Sequence, residues 1–523
     1  MDSSSDRLSP GTITAAVVVG LVILQVIRKF FNPPDPLDAI PSFRIPSYPF
    51  GFYVGSWNYV KNGRAITEEG YLKYPGKAFK VALANRWLVL LNGRTLIDDL
   101  RKADDSLSVA EATNSTLQLE HTMGHEQYHD PYQVAVIRSA MTRNVSACFP
   151  VIRSEVVAAF EDLVPAKDGN LDIPNPILLW LTSLVDWISV PAMQTILPIV
   201  SRVSNRFFIG LKCRDPDYIK ITTQYALDVV SNSLWLHLMP SILRPTAMYL
   251  FGHLEPATRA TMKLLGPLLQ YRIDMDDQYG PDWPEGDRPN DMISWLLDEA
   301  RGYPNRRTVR TMTRTLLNVN FGAIHTTTQG TLHALYNLAG NLQYVEPLRE
   351  EVESVVRTEG WTKAAMGKLV KLDSFLKESA RIVPGGAVAL MRQVTKDFMF
   401  SDGIMVPAGT LIGVPILAEH HDEANYENAD VFDPFRFSRM REKAGEGIKH
   451  QMVTPALDYL SFGIGRHACP GRFFAVNEQK LLLSHILLTY DFKLKDGVRP
   501  EDEWVAILGS ANSTAELMFR KRQ

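Results

Sequence analysis

The feature that most restricts the fold of this chain is one decapeptide near its C-terminal end, Phe462-Gly463-Ile464-Gly465-Arg466-His467-Ala468-Cys469-Pro470-Gly471. Its glycines allow the backbone to approach a flat group closely, because no Cβ atom stands in the way. A helix is predicted to follow at once, from about Phe473 to Tyr490. The loop therefore predicts that Cys469 is held beside a planar ligand at the N-terminal end of a helix.

The surroundings of this cysteine are those of a thiolate ligand for haem iron. Arg466, His467 and Arg472 supply donors and positive potential, and a helix N-terminus also favours an anion. A thiolate pushes electron density toward iron-bound oxygen and favours cleavage of the O–O bond. We expect Cys469 to be the axial ligand of a b-type haem, within a loop that includes Phe462, Gly463, Gly465 and Gly471. The alternative is an ordinary buried cysteine before a helix.

The decapeptide fits the pattern Phe-x-x-Gly-x-His-x-Cys-x-Gly and resembles the cysteine-ligand loop of the cytochrome P-450 family. Its continuation from Cys469 to Ala475 is similar to that of fungal membrane-bound members. The resemblance implies a mainly α fold with small β-sheets, preceded by one N-terminal transmembrane helix. It also implies three further motifs upstream, in a fixed order.

The first of these motifs is ExxR, present as Glu378-Ser379-Ala380-Arg381. Its spacing puts a carboxylate and a guanidinium on one face of a helix, although such a pair alone is typical of a solvated surface. Residues 432–437 match the family segment whose arginine, here Arg436, joins the pair. The resemblance implies a buried triad of Glu378, Arg381 and Arg436. Because buried ions must all be satisfied, we expect loss of one member to prevent haem incorporation.

Another motif lies within residues 316–328, which are predicted to form part of a long helix through the core. Gly322 and Ala323 keep one face of this helix low, and Thr326 occupies the family position that handles oxygen and its proton supply. The alternative for Thr326 is a hydroxyl bonded back to a helix carbonyl. Most of the family carries a carboxylate where this chain has His325. An imidazole also shuttles protons near neutral pH, so we expect a variant proton relay.

Haem propionates require cationic partners, and the resemblance implies three of them. His467 is one, and Arg138 stands at the arginine of the family's WxxxR motif, with Val134 in place of the tryptophan and Tyr132 as its possible substitute. Arg392, after the bend at 384–386, matches a third position. The alternative for each arginine alone is a solvated charge. We expect all three cations to form charge-assisted bonds with the propionates.

The N-terminal sequence predicts a membrane anchor. Residues 13–27 are almost entirely apolar and are followed by Arg28 and Lys29, so the catalytic body is expected on the cytosolic side of the endoplasmic reticulum. We predict a lumenal segment at 1–10, a single transmembrane helix at 11–29, a proline-rich linker at 30–50 and a haem-thiolate catalytic domain at 51–523. Three cysteines among 523 residues exclude a disulfide framework. The net charge of −3 gives no reason to expect a nucleic acid partner.

These features predict a monooxygenase that inserts one oxygen atom into a lipophilic small molecule, a terpenoid or another fungal secondary metabolite. The chain has no flavin or nicotinamide domain, so electrons are expected from a separate NADPH-cytochrome reductase. A group of basic residues near the cysteine loop is either its docking surface or a solvated face: Arg439, Arg441, Lys443, Lys449, Arg472 and Lys480. The rival within haem proteins is a haem-thiolate protein without oxygen chemistry.

Two segments leave other functions open. His125-Glu126-Gln127-Tyr128-His129 matches HExxH, the signature of zinc peptidases, in which both histidines lie on one continuous helix. Here Gly124 precedes the motif and Asp130-Pro131 follows, so the helix is predicted to break where the second histidine needs support. A loop over the substrate pocket is the preferred interpretation. The apolar segment 234–243 is either an entrance that touches the bilayer or a core helix.

Overall fold

The computed structural model describes residues 36–48, 50–83, 86–166, 187–237, 239–284, 286 and 288–522. The predicted lumenal segment and the predicted anchor at 11–29 lie outside the described residues, as does the first part of the predicted linker. Within the described residues, every helix is too short or too polar to cross a bilayer.

The described residues are mainly helical. The helices of the N-terminal half are Gly51–Lys73 (α1), Arg94–Lys102 (α2), Val109–Leu117 (α3), Leu119–Thr122 (α4), His125–His129 (α5), Gln133–Val136 (α6), Thr142–Leu163 (α7), Ala192–Ile209 (α8), Pro216–His237 (α9) and Arg244–Phe251 (α10). Those of the C-terminal half are Leu254–Tyr279 (α11), Met292–Glu299 (α12), Val309–Ala339 (α13), Val345–Glu359 (α14), Lys363–Lys368 (α15), Val370–Ile382 (α16), Ile416–His420 (α17), Arg436–Arg441 (α18) and Arg472–Thr489 (α19). A π-helical turn, Ile137–Met141, joins α6 to α7.

The strands form small sheets at the edge of the helical body. They are Phe79–Leu83 (β1), Arg86–Leu90 (β2), Leu107–Ser108 (β3), Ile188–Pro191 (β4), Ala389–Val394 (β5), Phe398–Met399 (β6), Met405–Val406 (β7), Leu411–Val414 (β8), Tyr490–Leu494 (β9), Glu503–Val505 (β10), Leu508–Ser510 (β11) and Glu516–Lys521 (β12). The five-stranded sheet has the order β1-β2-β8-β5-β3, and only β2 and β8 pair in parallel within it. The order β4-β12-β9 makes a second sheet of the described residues, and β6-β7 and β10-β11 are hairpins.

Helix α13 forms the centre of the helical body. Thr308 caps its N-terminus by accepting a hydrogen bond from the Thr311 N–H at 3.1 Å, and its 31 residues contain no proline to interrupt them. It packs against α8, α9, α11, α16 and α19. Residues 312–320 and 331–339 are buried without a gap. The predicted long core helix is therefore confirmed. The partly exposed residues at its midpoint indicate where the site lies.

Part of the predicted linker packs on the body. Pro36–Ala39 forms a short 3-10 helix, and Leu37 and Ile40 are buried in the apolar cluster behind the five-stranded sheet. The Phe43 N–H donates to the Lys80 carbonyl at 2.9 Å, and Phe43 itself is buried. Residues 36–43 thus extend the edge of the sheet at β1.

The apolar segment at 234–243 is not a plain core helix. Leu236 is buried, but Leu234, Trp235, Ile242 and Leu243 are exposed at the end of α9 and in the 3-10 turn that follows. The exposed apolar surface continues into α10, where Tyr249 is 86% accessible and Phe251 is 74% accessible. Apolar patches of this kind mark contacts with membranes or partners.

A buried carboxyl in the core predicts one pH effect. Burial raises the pKa of Glu478 on α19 to about 8, and the hydrogen bond that Ser204 donates at 2.8 Å offsets part of that rise. A raised folded-state pKa gives stability that is present below the unfolded pKa and is lost as pH rises through about 8. We expect Glu478→Gln to be more stable than the wild type above about pH 8, by roughly 5 kcal/mol, and similar to it below about pH 4.

Thermal unfolding of the two proteins across this pH range measures the difference. The expected result is a gap between the two melting temperatures that widens as pH rises. A gap that stays the same at every pH would show that Glu478 does not change its ionisation on unfolding.

Candidate active site

The cysteine loop lies between α18 and α19 and is closed by its own backbone. Gly463 and Gly465 adopt positive φ angles of 75° and 65°, which favour glycine. A Cβ at Gly465 would lie 3.0 Å from Cγ of Arg101 on α2, so the loop packs directly on that helix. The Cys469 N–H donates to the Phe462 carbonyl at 2.7 Å. These contacts fix Cys469 three residues before the first residue of α19.

The Cys469 side chain combines accessible surface with a desolvated environment. It is exposed, yet burial raises the pKa of its thiol, while the N–H groups of Gly471 and Arg472 and the charge of Arg472 act to lower it. An accessible residue whose thiol is desolvated is suited to a sulfur that binds a ligand held within the protein. A coordinated metal ion deprotonates a thiol outright, so this cysteine fits an iron ligand.

The midpoint of α13 borders open space. Gly322 and Thr326, one turn apart, are exposed between two fully buried stretches of the helix, and a Cβ at Gly322 would meet no atom within 4 Å. The hydroxyl of Thr326 donates to the Gly322 carbonyl at 2.8 Å, the bond expected of a mid-helix threonine. A hydroxyl that donates one hydrogen bond keeps its lone pairs as acceptors. A core helix with one open face of this kind lines a cavity.

The neighbouring His325 is held to another helix. Its Nε2 lies 3.0 Å from the carbonyl oxygen of Thr223 on α9, and because a carbonyl only accepts, Nε2 carries the proton. The imidazole is half-buried and keeps Nδ1 as a free acceptor in that tautomer. The ring therefore links α13 to α9.

Arg392 is a buried cation that has no anionic partner among the described residues. Its side chain is 4% accessible and Nη1 donates to the Met391 carbonyl at 2.9 Å, whereas Nε finds no hydrogen-bond partner among the residues that the structure covers. Within the described part of the chain, no carboxylate lies within 4.0 Å of it. Burial lowers its pKa to about 10, and the charge of Asp104 opposes that change. An unpaired buried guanidinium is costly, so this position fits a ligand that brings a carboxylate.

The two other predicted propionate partners lie near Arg392. His467 Nε2 is 3.3 Å from Oδ1 of Asp104, and Arg138 Nη2 donates to the Arg466 carbonyl at 3.3 Å. Burial lowers the pKa of His467, and the charges of Arg392, Arg138 and Arg466 lower it further, against the opposing effect of Asp104. Arg392, Arg138 and His467 therefore lie close enough together for their charges to interact. Such a group of cations is suited to the two carboxylates of a haem, so these residues fit haem.

A backbone irregularity accompanies the placement of Arg392. Leu390 has a φ of 53°, a left-handed conformation that is unfavourable for leucine. The pairing of β5 with β8 shifts register between Ala389 and Arg392, as at a β-bulge, which re-aims the side chains after it. The sequence carried no signal for this bulge, because left-handed turns are usually marked by glycine or asparagine.

The ExxR motif forms the buried triad that the resemblance implied. The Arg381 Nε and Nη2 atoms donate to the two carboxylate oxygens of Glu378, both at 2.8 Å, and Arg436 Nε donates to the same carboxylate at 3.2 Å. Glu378 and Arg381 are fully buried. The Asp433 N–H donates to Glu378 at 3.0 Å, and the Arg436 guanidinium also donates to the carbonyls of Glu427, Asn428 and Val431. The surface-pair interpretation is therefore wrong for this motif.

His420, which the sequence analysis missed, connects this triad to the cysteine loop. Its Nδ1 lies 3.1 Å from the Arg381 carbonyl, and its Nε2 accepts from the Leu460 N–H at 3.0 Å. Arg381 Nη1 in turn donates to the His420 carbonyl at 2.5 Å. Burial lowers the pKa of His420 to about 3, so the ring is neutral at physiological pH. No local sequence pattern predicts this link between the triad and the loop. It depends on where the fold places His420.

Two of the six basic residues that are either a docking surface or a solvated face are internal. Lys480 is buried and pairs with Asp373 at 2.7 Å, and Arg441 pairs with the same carboxylate at 3.2 Å. Lys480 lies on the buried face of α19. The sequence alone did not indicate that its side chain points inward. Three of the other four members also have partners: Arg439 contacts Asp433, Lys449 contacts Glu446, and Arg472 contacts the Val453 and Cys469 carbonyls.

The HExxH segment is helical through its second histidine. Helix α5 runs from His125 to His129 with Asp130 as its C-terminal cap, so the helix ends directly after the second histidine, where Asp130-Pro131 predicted the break. Glu126, the general base in a peptidase, is paired with Arg314 of α13 at 3.0 Å.

Near the WxxxR position, Val134 is exposed and Tyr132 packs below the guanidinium of Arg306.

Comparison with known proteins identifies relatives of this chain. The family model described as Cytochrome P-450 matches residues 60–518. Cytochrome P-450 monooxygenase 151 of Postia placenta is 39% identical over 507 residues, which cover 96% of this chain and 97% of that protein. Cytochrome P-450 monooxygenase CYP512U6 of Ganoderma lucidum is 32% identical over 493 residues, covering 94% and 92%. Cytochrome P-450 monooxygenase paxQ of Penicillium paxilli is 30% identical over 506 residues, covering 94% and 93%.

Proposed function

The chain belongs to the cytochrome P-450 family, a family of haem-thiolate monooxygenases, and on that premise we propose that it oxidises a lipophilic small molecule, a terpenoid or another fungal secondary metabolite. Electrons come from an NADPH-cytochrome reductase in the membrane of the endoplasmic reticulum. The observation that carries the proposal is Cys469, accessible but desolvated at the N-terminal end of α19.

Cys469 would hold the haem iron through its sulfur, and the haem would supply the activation of dioxygen. Phe462, Gly463, Gly465 and Gly471 shape the loop that presents the sulfur. Arg392, His467 and Arg138 hold the propionates, and the unpaired Nε of Arg392 supports this role. Glu378, Arg381 and Arg436 act at a distance, because His420 transmits their position to the residues before the loop.

Thr326 and His325 are the proposed route for protons. The open space beside Gly322 gives room for oxygen and substrate, and the Thr326 oxygen lies on that open face as a hydrogen-bond acceptor and donor. His325 exchanges a proton with solvent or with bound water through Nδ1 while Nε2 stays bonded to Thr223. The His325 role is a variant of the carboxylate relay found in most of the family.

Removal of the Thr326 hydroxyl is expected to impair proton delivery. We expect Thr326→Ala to lower product formation by roughly a hundredfold, in the range typical of general acid–base groups, with haem content unchanged. Thr328→Ala is the matched control, because Thr328 is buried on the same helix and makes the same back-bond, to Ile324 at 2.8 Å. Product formation per haem, measured with reductase and NADPH, tests the role. Equal activity losses in both variants would assign the effect to the helix and not to the hydroxyl.

Membrane attachment is proposed through two features. The first is the predicted anchor at 11–29, followed by a linker at 30–50 and a catalytic domain at 51–523, with residues 1–10 in the lumen. The second is the exposed apolar surface formed by the 3-10 turn Ser241–Leu243 and α10, in which Ile242 is 83% accessible. Tyr53 and Trp57, near the start of α1, are also exposed. An exposed apolar surface of this kind is suited to a lipid bilayer, from which a lipophilic substrate enters.

The test is product formation from isotopically labelled dioxygen. Full-length protein in microsomes with the reductase and NADPH is incubated with a panel of terpenoids, and products are analysed by mass spectrometry. The proposal predicts at least one product that carries one labelled oxygen atom, with the other atom released as water. Reduction of the haem without any labelled product across the panel would favour a haem-thiolate protein without oxygen chemistry.

A further inference from the structure

Three side chains outside the haem site converge on one point. Glu120 of α4 and His125 and His129 of α5 offer one ligand atom each, and these atoms all lie within 4.8 Å of one another. His125 Nδ1 is 3.0 Å from Oε1 of Glu120, and His129 Nε2 is 3.9 Å from the same oxygen. The two imidazole rings have centroids 4.1 Å apart. All three residues are exposed, so the cluster is open to solvent.

The local backbone produces this convergence. Histidines four residues apart in α5 lie on one helical face. The chain reverses between α4 and α5 at Gly124, whose φ of 107° favours glycine. The turn brings Glu120 back over the two rings. The helix and the turn therefore bring the three side chains within reach of one another.

The distances and ligand types fit a transition metal. A tetrahedral zinc ion with ligands at 2.0–2.1 Å separates its ligand atoms by about 3.3 Å, and the observed separations from Glu120 lie on either side of that value. Two imidazoles and one carboxylate suit Zn²⁺ and other late divalent metals, whereas Mg²⁺ and Ca²⁺ prefer oxygen ligands. A water molecule completes the fourth position.

We propose that Glu120, His125 and His129 form a binding site for a divalent transition metal of the zinc type, and that the bound metal fastens α4 to α5. The site binds metal without peptidase chemistry, because Glu126 is paired with Arg314 and does not serve as a base. The metal is bound by residues of this chain alone, and water is its only further ligand.

A metal that links α4 to α5 would also affect the open face of α13, because both helices pack near it. Helix α5 is tied to α13 by Gln127, whose Nε2 donates to Thr315 Oγ1 at 3.0 Å. Between α4 and α5, Met123 packs in a cluster with Leu317 and Phe321 of α13. Phe321 directly precedes Gly322, where the open face begins. A metal that holds α4 against α5 therefore restrains the segment that covers this part of α13.

The test is a titration of the haem-loaded, full-length protein with zinc chloride by calorimetry, after chelator treatment and without a polyhistidine tag. One strong site is expected in the wild type. His125→Asn, His129→Asn and Glu120→Gln are each expected to weaken it by at least about tenfold, the lower end of what even an outer partner of a metal site contributes. His121→Asn and Glu126→Gln are matched controls in the same segment and are expected to bind zinc as the wild type does.

Hydrogen exchange of the same proteins tests the fastening. Zinc is expected to slow exchange of the amides in residues 119–129 of the wild type, and to leave the exchange in His129→Asn unchanged. Wild-type zinc affinity in His125→Asn or His129→Asn, or no slowing of exchange on zinc binding, would overturn the proposal. Because neither readout depends on turnover, failure here is distinct from failure of the proposed monooxygenase function.

Discussion

Glu378→Gln is expected to yield a protein that neither incorporates haem nor reaches wild-type stability. The substitution keeps the size of the side chain but leaves the guanidiniums of Arg381 and Arg436 buried without a counter-charge. Breaking a buried ion pair by removing one partner costs about 3–5 kcal/mol. The triad also holds His420, and through it the backbone at Leu460, two residues before Phe462. We therefore expect the cysteine loop to lose its position.

Haem content per polypeptide and the thermal unfolding temperature measure this effect. Glu346→Gln is the matched control, because Glu346 also pairs with an arginine three residues later, Arg349 at 3.2 Å, but its own side chain is 62% accessible. An exposed partner of this kind is worth about 0–1 kcal/mol. The triad account is contradicted if Glu378→Gln and Glu346→Gln both retain full haem content and unfold at the same temperature.

Cys469→Ser is expected to abolish monooxygenation. A serine hydroxyl is not ionised at neutral pH and does not supply the electron density that a thiolate gives to the iron. We expect turnover to fall by at least about a thousandfold, as for other groups without which the chemistry does not proceed. Product formation by the variant in microsomes with excess reductase is the measurement.

Cys148→Ser is the control for this substitution. Cys148 is a free, buried cysteine, and its Sγ lies 3.2 Å from the Asn290 carbonyl, a contact that a serine hydroxyl also makes. We expect it to retain wild-type turnover. If Cys148→Ser lost activity as completely as Cys469→Ser, a general sensitivity to cysteine loss would replace the assignment of Cys469.

Local patterns predicted the elements that carry the site. The helix predicted from about Phe473 to Tyr490 is observed at Arg472–Thr489, and the long core helix predicted around residues 316–328 is α13. Asp291 caps α12 by accepting from the Ser294 N–H. These features depend on capping, periodicity and glycine positions, all of which are local properties of the sequence.

The features that sequence missed depend on distant contacts. His420 lies in a short helix far from Leu460 in sequence, and tertiary packing alone gives it two backbone partners. Leu390 adopts a left-handed conformation without any glycine to signal it. Lys480 faces Asp373 because α19 packs against α15 and α14, so its charge is internal. Glu120 joins His125 and His129 only because the chain reverses at Gly124.

The central claim is that Cys469 of this chain binds haem iron as a thiolate. The most direct measurement is the carbon monoxide difference spectrum of the reduced, full-length protein in microsomes, compared with that of Cys469→Ser. The account predicts the thiolate-type spectrum for the wild type and its complete loss in the variant. A wild-type spectrum of the imidazole-ligated type, or a thiolate-type spectrum that survives in Cys469→Ser, would contradict it.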